Sequence, residues 1–328
     1  MKKEKNSKSK NTNVETGTEI TEECADTSVL LKTELPLPLF MRGKTRDVYD
    51  LGEQLLIIAT DRISAFDVVL PCGIPNKGRV LNQLSAFWFE KTKHIVPNHV
   101  LQVVDDVSCL DAYIPEKSRF AYPAYLSGRS MIIKKANRIP VECVVRGFLS
   151  GSAWEEYRKS GTVSGMPITK GLLESNILPQ SIFTPTTKAD EGHDMPMSID
   201  EVRNIIGASL ADEIQEISTN IYKFAQEYAK SPASFLIADT KFEFGVDDGK
   251  PILIDELLTP DSSRFWDVDL YRVGQHQDSF DKQPVRDWLE ISGWNKEPPA
   301  PVLPPDVIEQ TAERYQQVYE RLTGKKLL

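Results

Sequence analysis

The sequence predicts an α+β fold made of two domains, a strand-rich one followed by a larger mixed one. Its 328 residues exceed what one small hydrophobic core usually holds. Most strand-like runs come early in the chain, and most stretches with helical periodicity come later. The Gly-x-Gly-x-x-Gly sequence of a doubly wound dinucleotide-binding fold is absent. Together these features favour the α+β class.

The first 33 residues are rich in Lys, Asn, Thr and Glu and contain few large apolar side chains. They bury too little surface to offset the entropy of ordering, so residues 1–33 are predicted to form a flexible tail. Between the first strands, Arg79–His94 carries apolar residues at helical spacing, which predicts a helix with one buried face. The strands are predicted at Asp47–Leu51, Leu55–Ala59, Ser130–Lys135 and Val141–Phe148.

The later part of the chain has clear helix boundaries. Ser152–Lys159 is predicted as a short helix that ends at Gly161. Ser198 and Glu201 form a capping box at the start of another helix. Residues 166–197 show no periodicity and contain four prolines, as expected of a functional or disordered segment. The remaining predicted elements are a helix from about Leu210 to Lys230, a strand–turn–strand unit over 234–256, a helix from Pro284 to near Gly293 and a final helix over Asp306–Leu322.

Composition excludes several classes of function. Acidic residues outnumber basic ones by 48 to 39, a net charge of -9, whereas generic nucleic-acid-binding domains carry a basic excess. We therefore expect small-molecule partners and no nucleic acid, since an anionic substrate needs only a few local cations. The four cysteines are scattered without a Cys-x-x-Cys pair, which is typical of reduced thiols in a cytoplasmic protein. No apolar run of about 18 residues predicts a membrane span, and no secretion signal is evident.

One segment, LIADTKFEFGVDDGKPILIDE, predicts a hairpin that collects charge on one face. Asp239, Lys241 and Glu243 occupy alternate positions, so their side chains share one face of a strand. A three-residue Asp-Asp-Gly turn pairs Lys241 with Asp255 and brings Asp255 onto the same face. A two-residue turn shifts the register by one residue and sends Asp255 to the opposite face. We expect the three-residue turn.

Two carboxylates beside a lysine suit Mg²⁺, which binds one or two protein carboxylates and completes its octahedron with phosphates and water. The hairpin therefore predicts a Mg²⁺ site with Glu243 and Asp255 as ligands. The alternative is an exposed hairpin whose charges are solvated. Apolar runs at Phe235–Ala238 and Ile252–Ile254 favour the metal site, because they predict burial of the hairpin.

Other segments offer cations for phosphate binding. RGKTRDVYDLG places Lys44 and Arg46 beside a glycine, which suits a phosphate. It lacks the Walker pattern, and a charged turn is the alternative. Arg146 precedes a helix that begins near Ser152, which predicts either an anion site or a simple helix cap. Asp67, in TDRISAFD, belongs either to an ion-pair cluster or to a ligand site.

The segments after residue 180 add further candidates. Arg264 is either a bidentate clamp for an anion or a structural partner of Asp261 or Asp267. Lys188 lies in the aperiodic loop, and Lys282 is either a phosphate ligand or a surface charge. Jointly, these residues describe a site that gathers phosphate-binding cations around a divalent metal.

Six groups of residues resemble those of the SAICAR synthetase (phosphoribosylaminoimidazole-succinocarboxamide synthase) family and occur in the family's order. They are GKTRDVY, DRISAFD, IPVECVVRG with SGSAWEEY, TKADEGHD, KFEFG and LIDELLTPDSSRFW, within residues 38–323. The resemblance implies an ATP-dependent ligase of de novo purine biosynthesis. Such a ligase joins L-aspartate to the carboxylate of carboxy-aminoimidazole ribonucleotide through an acyl phosphate and forms SAICAR, ADP and phosphate.

The resemblance also implies a two-domain fold whose N-terminal domain is similar to the small lobe of protein kinases, with an ATP cleft between the domains. It divides the chain into a nucleotide-binding domain at residues 34–134 and a larger domain at residues 135–328 that carries the metal and substrate sites. The extended central loop and the C-terminal helix are similar to those of the larger family members.

Roles for individual residues follow from the same resemblance. Lys44 and Arg46 are expected to contact ATP phosphates, and Lys134 to Ala136 to meet adenine through the backbone. Glu243 and Asp255 are expected to bind Mg²⁺. The expected catalytic residues are Lys241, Asp67 and Lys188, and the expected substrate-binding residues are Arg146, Ser152, Asp261, Arg264 and Lys282, the last at a place where shorter members carry arginine.

A kinase of a small phosphorylated alcohol, such as an inositol phosphate, is the main alternative. It would share a kinase-like nucleotide cleft, metal carboxylates and a basic substrate pocket. A nucleotide-binding regulatory protein is a third hypothesis, which the presence of both the acidic and the basic positions disfavours. We expect a cytoplasmic monomer or homodimer without a membrane partner.

Overall fold

A computed structural model describes residues 29–188, 194–231 and 233–327, which form two main antiparallel sheets with helices packed around them. The strands are β1 (Leu39–Arg42), β2 (Arg46–Asp50), β3 (Gln54–Ala59), β4 (Arg62–Ala65), β5 (Val68–Gly73), β6 (Val100–Val103), β7 (Ser130–Lys134), β8 (Asn137–Phe148), β9 (Thr162–Val163), β10 (Met166–Pro167), β11 (Ile177–Phe183), β12 (Thr186–Thr187), β13 (Phe235–Asp247), β14 (Lys250–Ile254) and β15 (Ser263–Asp267). The α-helices are α1 (Lys77–Thr92), α2 (Gly151–Ser160), α3 (Ile199–Ile206), α4 (Ala208–Lys230), α5 (Gln283–Ile291) and α6 (Pro305–Thr323).

The first sheet has the strand order β1-β2-β3-β7-β6. Alternation along β3 sends Leu56 and Ile58 into a core on one face of the sheet, together with Ile132 of β7. Leu55 and Ile57 point to the other face, where they line a cleft. Fully burying an aliphatic side chain of this size stabilises the fold by about 1.5–3 kcal/mol. Burial of Leu56 and Ile58 therefore determines which face of β3 points into the core.

The second sheet has the order β11-β8-β13-β14, with β12 beside β8 and β15 beside β13. Phe242 and Phe244 of β13 enter the largest core with Cys143 of β8, and α4 packs against these two strands. Because side chains alternate along a strand, Lys241 and Glu243 lie on the opposite face. The face of β13 that is not in the core therefore carries the charges.

The C-terminal helices pack back onto the N-terminal half of the chain. Helix α6 packs against both α1 and α5. A smaller core joins Ile63 and Leu70, from β4 and β5, to Val285, Leu289 and Val307 of the last two helices. No helix in the described ranges has the length and apolar character needed to cross a membrane.

The mixed α/β class and most helix boundaries agree with the sequence prediction. Ser198 and Glu201 form the predicted capping box, since each side chain accepts the backbone N–H of the other. Helix α2 ends as predicted at Gly161, whose φ of 75° is left-handed and whose N–H donates to the Tyr157 carbonyl.

Two segments are more ordered than predicted. Thr33, placed in the tail, is buried, and its N–H and hydroxyl both donate to Asp47. The Leu30 N–H also donates to Asp61, so these tail residues are part of the fold, and the rest of the predicted tail, residues 1–28, lies outside the described residues. The aperiodic segment contains β11, whose pairing with β8 shifts register between Ile177 and Ile182. This bulge and Pro179 hide the period-two pattern of the strand.

Candidate active site

A cleft of about 610 Å³ is lined by residues of both sheets. The first sheet contributes an apolar wall that includes Val48, Ile57 and Ile133. The second sheet contributes charged residues of β8 and β13. Most of the predicted site residues line this cleft: Lys44, Arg46, Asp67, Lys134, Ala136, Lys188, Lys241, Glu243, Asp255, Asp261 and Lys282.

The turn between β13 and β14 differs from the prediction. Asp247 pairs with Lys250 and Glu243 pairs with Ile254, so the turn has two residues and the expected three-residue turn is wrong. Asp248 and Gly249 have φ values of 49° and 77°. Two successive left-handed residues define a type I′ turn. Hairpins favour this turn because its twist matches that of the flanking strands, and Asp-Gly favours it because both residues tolerate a positive φ.

Asp255 nevertheless reaches the same cleft as Lys241 and Glu243, for a different reason. Strand β14 ends at Ile254, and Asp255 itself has a left-handed φ of 64°. The alternation of side chains stops where the extended backbone stops, so the register no longer decides where Asp255 points. Its carboxylate forms an ion pair with Arg46.

The Glu243 and Asp255 carboxylates interact electrostatically. Burial and the negative charge of Asp255 raise the pKa of Glu243 to about 7. Burial also disfavours the charge of Asp255, but Arg46 and Lys188 together lower the pKa of Asp255. The nearby cations therefore compensate the negative charge of Asp255 but not fully that of Glu243.

Two lysines share a third carboxylate. Lys188 lies 3.1 Å from the Glu142 carboxylate and also pairs with Glu243, and Lys241 lies 2.7 Å from Glu142. Burial opposes the charge of Lys188, yet Glu243 and Glu142 raise its pKa above the ordinary value. Despite burial, nearby carboxylates also raise the pKa of Lys241, so both lysines carry a positive charge. Sequence reasoning missed Glu142, although a glutamate between Val141 and Cys143 in a strand is an unusual buried charge.

The β1–β2 turn places two cations at the cleft. The N–H of Gly43 donates to the Arg46 carbonyl at 2.7 Å, which closes the turn. Arg46 pairs with Glu256 at 2.7 Å as well as with Asp255, and Lys44 pairs with Asp67 at 2.5 Å. Glu256 is a second carboxylate that the sequence did not single out.

The connection from β7 to β8 passes along the cleft at Lys134 and Ala136. The Lys134 N–H donates to the His99 carbonyl at 2.9 Å, and its ammonium pairs with Asp247 at 2.6 Å. That backbone N–H is therefore already used within the fold. A Cβ added to Gly245 would lie 2.8 Å from the Ala136 Cβ, so glycine permits this close approach.

Arg146, Ser152 and Arg264 come together away from the walls of the cleft, around Asp239. Arg146 donates to Asp239 at 2.7 Å and to the Ser152 hydroxyl at 3.3 Å, and Arg264 also pairs with Asp239. Two guanidinium groups against one carboxylate leave a net positive charge. Asp239 pairs across the sheet with Arg146, and Lys241 with Val144, so this cluster continues the charged face of β13. Arg264 thus pairs with Asp239 rather than with Asp261 or Asp267.

The segment TDRISAFD serves two purposes. Asp61 pairs with Arg129 at 3.0 Å, and Arg62 pairs with Asp47 at 2.8 Å, in buried structural ion pairs. Asp67 instead lies at the cleft. Of the loop that carries Lys188, residues 189–193 lie outside the described part of the chain.

Asp261, which also lines the cleft, is surrounded by donors. Its carboxylate accepts from Lys77 at 2.7 Å and from the Tyr315 hydroxyl at 2.5 Å, and Lys282 lies 3.4 Å away. Neither Lys77 nor Tyr315 was identified from the sequence. A lysine two residues before the predicted helix and a tyrosine on an apolar helix face both look like ordinary surface or core positions.

Comparisons with known proteins give one family. The model of a family described as SAICAR synthetase matches residues 39–301. The chain is 52% identical over 298 residues to the phosphoribosylaminoimidazole-succinocarboxamide synthase of Thermodesulfovibrio yellowstonii, with 90% of this chain and 99% of the relative covered. It is 49% identical over 300 residues to the synthase of Geobacter metallireducens, with 91% and 99% covered. Among solved structures, it is similar to the SAICAR synthase from Saccharomyces cerevisiae complexed with SAICAR, with a TM-score of 0.82, 43% identity and coverage of 90% and 99%.

Proposed function

The chain belongs to the SAICAR synthetase family, and we propose that the cleft between its two sheets is where it carries out the family's reaction. It is an ATP-dependent ligase of purine biosynthesis that joins L-aspartate to the carboxylate of carboxy-aminoimidazole ribonucleotide to form SAICAR. The observation that carries this conclusion is similarity over 99% of the length of synthase relatives. A kinase of a small phosphorylated alcohol is not favoured, because none of that similarity points to such an enzyme.

The first sheet is proposed as the nucleotide-binding domain, residues 34–134, and residues 135–328 as the larger domain with the metal and substrate sites. The first sheet is formed by strands from residues 39–134, and its apolar wall suits a purine ring. A five-stranded antiparallel sheet with one helix supports the proposed similarity to a kinase small lobe. Lys44 and Arg46 would then reach the ATP phosphates, and the Lys134–Ala136 connection the adenine.

Glu243 and Asp255 are proposed to hold Mg²⁺. Burial and the negative charge of Asp255 raise the pKa of Glu243 to about 7, and a divalent cation would oppose that shift because it favours the charged carboxylate. Within the described ranges no group of three or more His, Cys, Asp or Glu side chains is arranged for a metal. Two carboxylates, with phosphates and water as the other ligands, are what Mg²⁺ usually takes. When bound, the ion would neutralise charge on the transferring phosphoryl group.

The basic cluster around Asp239 is proposed as the site for the phosphate of the ribonucleotide. Arg146 and Arg264 supply two guanidinium forks, and Ser152 lies in the first turn of a helix whose N–H groups attract anions. Asp261 and Lys282 lie at the cleft and are proposed to contact the ribose and the rest of the same substrate.

The chemistry explains why the site is rich in cations. A carboxylate is a poor acyl donor because its leaving group would be oxide. Attack of the substrate carboxylate on the γ-phosphorus of ATP breaks the bond to ADP and forms an acyl phosphate. The neutral aspartate amine then attacks the acyl carbon and expels phosphate, and its proton passes to a phosphate oxygen or another base, which leaves the amide. The proposed roles of Lys241, Lys188 and Asp67 are positioning and charge neutralisation in these steps. For the two lysines, this role agrees with their raised pKa values, because both stay protonated.

We further propose that the enzyme acts in the cytoplasm on small molecules, as a monomer or a homodimer. The function is tested by measuring ADP release from the purified chain with ATP, Mg²⁺ and carboxy-aminoimidazole ribonucleotide, with and without L-aspartate. We expect sustained ADP release and SAICAR only when aspartate is present. Turnover with a phosphorylated polyol and no amine would overturn the proposal.

A further inference from the structure

The last helix of the chain reaches the proposed substrate site. Helix α6 lies beyond the stretch of residues 39–301 that the family model matches. It nevertheless carries Tyr315, which is buried and whose hydroxyl donates to Oδ1 of Asp261 at 2.5 Å. Burial and the negative charge of Asp261 raise the pKa of Tyr315, so the phenol remains a proton donor.

The second oxygen of Asp261 is held from another direction. Lys77, at the start of α1, has no exposed surface and donates to Oδ2 of Asp261 at 2.7 Å. Its ammonium also lies 5.7 Å from the centre of the Tyr315 ring. Lys282 lies 3.4 Å from the same oxygen, in a looser contact. The carboxylate is therefore fixed by donors from elements that are far apart in sequence.

These contacts leave acceptor capacity for a substrate. A carboxylate oxygen accepts about two hydrogen bonds, and Oδ1 of Asp261 receives the Tyr315 hydroxyl as its described donor. Asp261 also lines the cleft. With the Tyr315 hydrogen bond in place, the second lone pair of Oδ1 points in a defined direction. Without it, the carboxylate is held mainly through Oδ2 and can rotate, so that lone pair loses its fixed direction.

We propose that Tyr315 is a positioning residue for the ribonucleotide, which orients Asp261 so that its carboxylate accepts a hydrogen bond from a sugar hydroxyl. This inference rests on the proposed function, since it assumes that Asp261 contacts the ribonucleotide. It makes the C-terminal helix part of the substrate site rather than only a support for the core.

The test compares Tyr315→Phe with Tyr319→Phe. Both changes remove one hydroxyl from a largely buried tyrosine on α6, and only the first removes a donor to Asp261. Loss of a hydrogen bond to a charged group leaves Asp261 only partly oriented, which predicts a rise of roughly tenfold in the KM for the ribonucleotide in Tyr315→Phe. The KM for ATP should change less than about twofold, and Tyr319→Phe should match the wild type in both. Titration calorimetry with the ribonucleotide alone should show the same weakening.

Three further outcomes are decisive. An unchanged ribonucleotide KM and affinity in a folded Tyr315→Phe variant overturn the inference while leaving the function intact. Equal losses for ATP and ribonucleotide indicate a structural effect and also overturn it. Absence of aspartate-dependent ADP release in the wild type instead rejects the proposed function. Should Tyr315→Phe not fold, Tyr315→Met takes its place, because its flexible apolar side chain fills irregular space and also lacks the donor to Oδ1; an unchanged ribonucleotide affinity there overturns the inference.

Discussion

Gly151→Ala offers a sharp test of the proposed phosphate site, because the structure gives the size of the disturbance. Gly151 is the first residue of α2 and has a φ of 56°. A Cβ at this position would lie 2.7 Å from Nη2 of Arg264, 2.9 Å from Nη1 and 3.0 Å from Cζ. Ordinary contacts are roughly 3.5 Å, so the guanidinium must move by about 0.5–0.8 Å. Asp239 holds Arg264, so this movement also disturbs their ion pair.

Two effects of Gly151→Ala need to be separated. A non-glycine residue in the left-handed region costs about 1–2 kcal/mol, which lowers the Tm by roughly 1.5 °C per kcal/mol in a chain of this length, since the unfolding entropy is about 2.1 cal/mol/K per residue. Displacing Arg264 should weaken a charge-assisted contact of about 1.5–3 kcal/mol, which corresponds to a rise of about tenfold or more in the KM for the ribonucleotide.

Gly161→Ala is the matched control. Gly161 follows the other end of the same helix, has a φ of 75° and has no atom within 4 Å of its added Cβ. It should show the loss of Tm without the rise in ribonucleotide KM. Steady-state kinetics with each substrate varied, together with thermal unfolding, measure both effects. A ribonucleotide KM in Gly151→Ala equal to that in Gly161→Ala would refute the assignment of Arg264 to the phosphate site.

Other substitutions test the remaining parts of the cleft. Glu243→Gln should lower kcat at least about 100-fold, as expected when a group that stabilises charge in the transition state is lost, while circular dichroism stays unchanged; near-normal kcat at saturating Mg²⁺ would remove Glu243 from the metal site. Burial raises the folded-state pKa of Glu243 from 4.5 to about 7. The metal-free wild type should therefore lose stability relative to Glu243→Gln as the pH rises through that interval, by a few °C in Tm. Mg²⁺ should reduce this difference in Tm. A Tm difference that does not vary with pH contradicts the burial of this charge. Arg264→Ala should raise the KM for the ribonucleotide about tenfold or more and leave that for ATP within about twofold; the reverse pattern would place Arg264 at the nucleotide. Lys188→Met should leave Glu142 and Glu243 with less positive charge and lower the Tm by several °C without Mg²⁺, and a Tm equal to that of the wild type would argue against the ion pairs.

Local patterns were sufficient for much of the fold. The short strand-like runs Leu55–Ala59 and Val141–Phe148 predicted strands that the structure contains, because β-branched and large apolar residues favour the extended backbone locally. The capping box at Ser198 and the stop at Gly161 were equally readable, since each depends on atoms within a few residues. The charged face of β13 also followed from alternation alone.

Long-range packing decided the rest of the site. Asp255 faces the cleft because its own backbone is left-handed and Arg46, 209 residues away in sequence, pairs with it; no strand register predicts either fact. Glu142 of β8 meets Lys241 of β13 and Lys188, which follows β12, only after these two strands have paired and the segment after β12 has packed beside them.

The sequence by itself determined the class of fold, the charged strand and the family resemblance, because each is carried by residues that are close together along the chain. The tertiary structure alone decided which carboxylates meet which cations, and that Tyr315 of the last helix touches Asp261. Ion pairs between distant segments depend on how sheets and helices pack, and periodicity along one segment does not encode that packing.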